Sequence, residues 1–482
     1  MCRINPNVQG RGNWTAARTL WYNIRMVDIT RLASAAMCLF ATVAAAETPR
    51  NVILFIGDGM SVPQRMVAEE FSRKAGTGPL AMNALPCQAT TRTPSASSLV
   101  TDSAAAATAI ACGEKACNGA VGVGVDGRRI ESCAETARDT GRRVGIVTSV
   151  TINHATPAGF YAHRAHRSQL YDIGLDLVRS GFDLFMGGGL AGANAKTNGV
   201  AECVGDLYEF AAANGWIVKE GRAGFDELTA LAQPLPPVWY RDGEEALPYA
   251  IDAGAGRNPS LPEMTRFALD YLDAKAQGTP GFFLMVEGGR IDWAGHANEA
   301  ATNLRDLLEL DAAVKVALEF QKAHPDTLII VTGDHETGGM SLGFAGTGYA
   351  FYMERLANQT CSTDAFNARY HALKAEKGDA CTFDDVRPLL EASYGFRFEG
   401  DADGDPMVLT HDEIESLRRH FRDGGLADKA RRIMQGRAGV GWTSGSHTGL
   451  PALTTSIGPG AERFTGMLDN TDISKTIKSF YK

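Results

Sequence analysis

Positive charge is in short supply in this chain. Its 482 residues carry 47 Lys and Arg against 56 Asp and Glu, a formal net charge of −9. That balance argues against a nucleic-acid partner, because a phosphate backbone calls for a basic face. Any phosphate chemistry must then draw on positive charge gathered at one point, and metal ions are the direct means. Long apolar stretches are scarce too: the run Leu32–Val43 is too short to span a bilayer comfortably. Paired thiolate motifs are missing, since Cys112 and Cys117 have no second closely spaced pair nearby, which speaks against a zinc–thiolate cluster. There is no internal repeat and no low-complexity tract. What remains, 44% hydrophobic and 21% charged residues, is the composition of an ordinary globular protein with a large core.

The N-terminus carries an address. Arg31, the apolar run Leu32–Val43 and then Ala44-Ala45-Ala46 match the three regions of a secretory signal, with cleavage expected after Ala46. A membrane anchor is the alternative. Residues 1–25 fit poorly ahead of such a signal, whereas Met26 would begin a normal one; either Met26 is the true start or the n-region is long. Export would permit disulfides. Cleavage removes Cys2 and Cys38 and leaves seven cysteines, so at least one thiol stays unpaired within the monomer. Cys361 and Cys381, flanking a short polar segment, are the first candidates for a pair.

Buried-strand runs recur at Asn51–Ile56, Arg143–Thr148, Asp183–Met186, Phe282–Val286 and Thr327–Thr332. Helical patterns separate them, at Ser103–Ala111, Glu131–Asp139, Gln169–Arg179, Leu261–Lys275 and Ala301–Ala323. The alternation predicts an α/β fold, a doubly wound and mostly parallel sheet flanked by helices. The expected organisation is a signal region over 1–46 and one large domain over 47–482. A more polar, loop-rich insertion over about 349–436 would form a cap or excursion.

Ligands of such sheets collect beyond the C-terminal strand ends, and potential ligands stand there. Asp58 follows the first run, Glu287 the fourth, Asp334-His335 the fifth. Glu287 opens a glycine-rich stretch that also holds Asp292 and His296, and His447 comes late in Ser446-His447-Thr448-Gly449. Carboxylates and imidazoles in similar supply suit Zn²⁺, and all-oxygen sets suit Mg²⁺. Ser103, after Asp102, begins an alanine-rich helix whose N-terminus suits a bound phosphate. Alone, that segment reads as an ordinary N-cap. An arginine among Arg164 and Arg167 could grip two phosphate oxygens, while His163 and His166 read as ordinary loop residues.

From Asn51 almost to the C-terminus the sequence resembles the alkaline phosphatase family. The resemblance is carried by NVILFIGDGM, VTDSAAAATAIACG, HATPAGFYAHRAHR, PSLPEMTRFAL, GFFLMVEGGRIDWAGHAN, IIVTGDHETGG and SGSHTGLPALTTSIGPGAERFTGMLDNTDI, in the family's order. It implies hydrolysis of small phosphate monoesters through a phosphoserine at Ser103, best above neutral pH, with two zinc ions and one magnesium ion. The first zinc would fall to Asp292, His296 and His447, the second to Asp58, Asp334 and His335, and the magnesium to Asp58, Thr156 and Glu287. Arg167, oriented by Asp102, would hold the phosphate. A homodimer, common in the family, is also implied.

Two positions depart from some bacterial members, which carry Asp and Lys where this chain has His154 and Trp293. His154 is expected to approach magnesium only through water, and so to retain it less well. The stretch from Asp401 to Glu413 resembles an EF-hand loop, with Asp401, Asp403, Asp405 and Glu413 as Ca²⁺ ligands. Pro406 replaces its turning glycine and it is one residue too long, so a solvated acidic loop is the alternative. A sulfatase is excluded because Ser103 is followed by Ala104-Ala105, not by the x-P-x-R setting that enzyme needs. A phosphodiesterase of the same superfamily stays open, as does a non-catalytic phosphate- or metal-binding protein, although no ligand or nucleophile is missing.

Overall fold

Unbroken apolar and β-branched runs with no polar face can settle only where both faces are covered. β1 (Asn51–Gly57) does so: every one of its residues is buried. Ile53 and Phe55 enter the core on one side of the sheet, while Val52, Leu54 and Ile56 enter the core on the other. The computed structural model describes residues 48–193, 202–231, 235–243, 245–254, 258–344 and 347–482, which belong to one unit, Thr48–Lys482. The expected signal region and start site lie outside the described residues.

The other strands of the main sheet are β2 (Cys87–Arg92), β3 (Arg143–Thr151), β4 (Leu184–Gly188), β5 (Ile217–Glu220), β6 (Val238–Arg241), β7 (Phe282–Gly288), β8 (Thr327–Gly333), β9 (Ala452–Ile457) and β10 (Gly466–Asp469). They form a 10-stranded sheet in the order β10-β2-β9-β8-β1-β7-β3-β4-β6-β5. Only β9 runs antiparallel to its neighbours, β2 and β8. This is the mostly parallel, doubly wound sheet the sequence predicts. The helices Leu261–Lys275 and Ala300–Ala323 contribute to the core on one face. The helices Ser103–Cys112, Cys133–Asp139, Leu170–Arg179 and Asn470–Ser479 contribute to the other.

Register places the functional ends level. Gly57 lies opposite Gly288 on β7 and Gly333 on β8, so Asp58 and Asp334 leave the sheet side by side. Glu287 is the last residue but one of β7 and lies opposite both Ile56 and Thr148. Gly333 is required there by close approach, since a Cβ would sit 1.9 Å from the carbonyl oxygen of Met60.

The insertion differs from its expected character. It is helical, with Thr363–Lys377, Phe383–Tyr394, His411–Asp423 and Leu426–Ala438 as its α-helices. Phe366, Val386, Leu390, Leu417 and Met434 join the same core as Ile53 and Leu304. Polar residues cover the outer faces, and capping boxes at Thr382/Asp385 and Thr410/Glu413 start two of the helices. The excursion is closed by a short antiparallel ladder, Ser341–Leu342 against Val440–Gly441.

The Cys361–Cys381 pairing also fails, for both thiols are free. The 15-residue helix Thr363–Lys377 stands between them. At 1.5 Å per residue it holds its ends about 22 Å apart, far beyond the reach of a disulfide.

Gly333→Ala should lower unfolding free energy by about 1–3 kcal/mol, as overpacking against a fixed carbonyl does. Urea denaturation of the variant and parent measures it.

Candidate active site

At the C-terminal end of β1, β7 and β8 four carboxylates converge with almost no solvent. Asp58, Glu287 and Asp334 are fully buried, and Asp292 is 4% exposed. Burial first, and then repulsion from Asp334, Asp292 and Glu287, holds Asp58 well above the ordinary carboxylate range. Burial and the charge of Asp292 do the same to Asp334, and burial pushes Glu287 up to about 7. Among the described residues, nothing donates a hydrogen bond to Asp58 Oδ1, Glu287 Oε1 or Asp334 Oδ2. Buried anions so placed call for cations.

The imidazoles say where. His296 Nδ1 lies 2.8 Å from the Gly445 carbonyl, and His447 Nδ1 lies 2.8 Å from the Thr101 carbonyl. A carbonyl has no proton to give, so each Nδ1 carries the hydrogen and each Nε2 presents a lone pair. Those two Nε2 atoms face each other at 3.0 Å. Asp292 and His296, four residues apart on the helix Arg290–His296, share a face, and their Oδ2 and Nε2 are 3.4 Å apart. Asp292 Oδ1 lies 3.5 Å from His447 Nε2.

His335 repeats the pattern. Its Nδ1 lies 3.3 Å from Thr337 Oγ1, whose hydroxyl donates to Asp292 Oδ1 at 2.5 Å and so can only accept from the ring. The basic Nε2 then faces Asp58 Oδ1 and Asp334 Oδ2, each at 3.3 Å, and Ser103 Oγ at 3.2 Å. Burial, and then the neighbouring His447 and His296, drive this ring's pKa well down, so it stands as a neutral ligand. Three groups bring their ligand atoms within 4.8 Å of one another: Asp58, Asp334 and His335; Asp292, His335 and His447; Asp58, His154 and Glu287. Thr156 joins the third, with Oγ1 donating to Asp58 Oδ2 at 3.3 Å. The donor sets, mixed nitrogen and oxygen in the first two and oxygen-rich in the third, fit divalent cations.

Ser103 is the first residue of its helix, and Asp102 is the N-cap, accepting from the Ala105 N–H at 3.0 Å. The other Asp102 oxygen receives Arg167 Nη1 at 3.3 Å. Arg167 Nη2 donates to His154 Nε2 at 3.0 Å, and burial beside that guanidinium drives His154 down to about 3. His154 meets Trp293 edge-on, with ring centroids 6.0 Å apart. Helix N-terminus, guanidinium and carboxylate–imidazole groups thus surround one hydroxyl. The side chain of His296 is 41% exposed, so the arrangement opens to solvent on that side.

The alkaline phosphatase family model matches residues 49–216 and 239–482. The chain belongs to this family. Alkaline phosphatase 3 of Bacillus subtilis is 31% identical over 441 residues, covering 89% of this chain and 88% of its own length. The repressible alkaline phosphatase of Saccharomyces cerevisiae is 31% identical over 85% of this chain and 76% of its own. The crystal structure of Thermus thermophilus alkaline phosphatase superposes with a TM-score of 0.75 at 29% identity, covering 90% of this chain and 91% of that one. As an alkaline phosphatase, the chain is an enzyme that hydrolyses phosphate monoesters.

The residues expected at the site lie together in this cluster. Three supporting residues escape sequence inspection. Thr148 donates to Glu287 from the neighbouring strand, a contact made by register. Thr337 ties Asp292 to His335. Glu336, fully buried, accepts from Gln64 Nε2 at 2.7 Å, from the N–H groups of Gly339 and Met340 at 3.0 Å, and from the Thr448 hydroxyl. That fastens the ladder in which Thr337 pairs with His447. Its place between His335 and Thr337 was the only available signal. His163 lies elsewhere, against Gly122 and Glu135.

The carboxylates of the EF-hand-like stretch have partners of their own. Asp405 is paired with Arg397, and Glu413 caps Thr410 and is paired with Arg437. Asp401 Oδ1 accepts from the Asp403 N–H at 3.0 Å. Among the described residues, no potential metal group includes these carboxylates. Thr410 and Glu413 form the capping box that starts the helix His411–Asp423.

Thr337→Val should weaken divalent-metal binding about 10–100-fold, the usual cost of losing a partner that orients a ligand. Competition with a chromogenic chelator measures it.

Proposed function

We propose that Ser103 is the nucleophile of a two-step phosphomonoester hydrolysis and that the clustered carboxylates and imidazoles hold two zinc ions and one magnesium ion. Asp292, His296 and His447 would take one zinc; Asp58, Asp334 and His335 the other; Asp58, Thr156 and Glu287 the magnesium, with His154 beside it. Bound there, the cations would supply the positive charge that favours the serine alkoxide and screens the phosphoryl oxygens. The observation that carries the reading is the position of Ser103 Oγ, 3.2 Å from the basic Nε2 of His335 and at a helix N-terminus.

In the first step Ser103 Oγ bonds to phosphorus, the ester P–O bond breaks, and the alcohol leaves. Water then cleaves the phosphoserine and restores the hydroxyl. Arg167 holds the oxygens that do not change partners, while Asp102 and His154 each fix one of its terminal nitrogens. The helix N-terminus adds N–H donors to the same anion.

The wider setting belongs to the same proposal. The apolar run before Ala44-Ala45-Ala46 supports export to the periplasm or medium. No helix among the described residues is long and apolar enough to cross a membrane. A homodimer follows from kinship alone.

p-Nitrophenyl phosphate hydrolysis from pH 6 to 11 tests the reading, with parent and Ser103→Ala, each with and without chelator. The parent should be most active in alkali, and both the substitution and the chelator should cost about a thousandfold or more. A folded Ser103→Ala enzyme that kept its rate would refute the nucleophile.

A further inference from the structure

A stack of side chains runs from a surface segment to the guanidinium of Arg167. Arg290 Cζ lies 3.5 Å from the centroid of the Tyr249 ring and 4.8 Å from that of Trp293. Trp293 meets His154 edge-on, and His154 accepts from Arg167. Tyr249 is 5% exposed and so is fixed in place. Its segment is fastened to the strand ends that frame the site: Leu247 N–H donates to the Ser149 carbonyl at 3.0 Å, and Gly189 N–H to the Glu245 carbonyl at 3.1 Å. Ser149 Oγ also accepts from the N–H groups of Gly289 and Arg290, at 2.9 and 3.3 Å. Asp306 is buried within electrostatic reach of Arg290, and burial holds its carboxyl well above the ordinary range.

Neither Tyr249 nor Arg290 touches Ser103, so their contribution to the reaction is indirect. A guanidinium binds an anion well only when its plane is set beforehand. Asp102 fixes one terminal nitrogen of Arg167 and His154 the other, so the ring orientation of His154 determines that plane. That ring meets Trp293 edge-on, and Arg290 lies over both Trp293 and Tyr249.

We infer that Tyr249 and Arg290 are positioning residues for Arg167, clamping Trp293 against His154 so that the guanidinium is held ready for phosphate. The inference rests on the proposed phosphate contact of Arg167. It differs from a packing role because its effect must pass through that one residue.

Inorganic phosphate binding to the metal-loaded full-length enzyme, followed by calorimetry, tests it. The variants are Tyr249→Leu, Tyr249→Phe, Arg290→Met, Arg167→Ala and the double variant Tyr249→Leu/Arg167→Ala. Tyr249→Leu and Arg290→Met should each weaken phosphate about three- to tenfold through loss of the cation–π clamp. Tyr249→Phe, which keeps the ring, should bind as the parent does. On an Arg167→Ala background, Tyr249→Leu should cost nothing further. Should Tyr249→Leu fail to fold, Arg290→Met and Tyr249→Phe still decide. Unchanged binding in Arg290→Met while Arg167→Ala binds weakly would overturn the clamp alone, as would full additivity in the double variant. Unchanged binding in Arg167→Ala would overturn the arginine's role and the clamp with it.

Discussion

Two lone pairs face each other across 3.0 Å at the mouth of the sheet, on His296 and His447, each imidazole fixed by a backbone carbonyl behind it. A third imidazole, His335, points its lone pair at two carboxylates and a hydroxyl. The facing lone pairs of His296 and His447, and the His335 lone pair set against two ionised carboxylates, are unfavourable by themselves. They become favourable together if divalent cations occupy the spaces between, and the surrounding architecture serves to hold them until that happens. The aligned glycines of β1, β7 and β8 set the carboxylates level. The Glu336 ladder and Thr337 set the imidazoles.

The same constraint explains how an acidic protein handles an anionic substrate. With a net charge of −9, the chain has little general attraction for phosphate. In the proposed reading, positive potential is built locally from one guanidinium, one helix N-terminus and the cations the ligand groups fit. The burial that makes the carboxylates costly without metal is what makes them strong ligands with it.

Much of this was legible in the sequence, and the part that was not has a physical explanation. The five strands recognised from apolar runs are the adjacent strands β8-β1-β7-β3-β4, buried on both faces. The unrecognised strands lie toward the edges, where β2 reads CQATTR and β5 reads IVKE, half-exposed and short. The ligands stood out because chemistry restricts them to a few residue types beside glycine-rich turns. Thr148 and Thr337 did not, because a threonine near a strand end has many ordinary reasons to be there. The insertion misled because its helices bury narrow apolar stripes and present polar faces, which in composition resemble loops.

The most direct test is anomalous X-ray scattering at the zinc edge from crystals of the zinc-loaded protein. A peak is expected between the two imidazoles, about 2.0–2.1 Å from Nε2 of both His296 and His447, and a second beside His335. Density with no peak there and either ring turned so that its Nδ1 no longer faces its carbonyl would contradict this expectation.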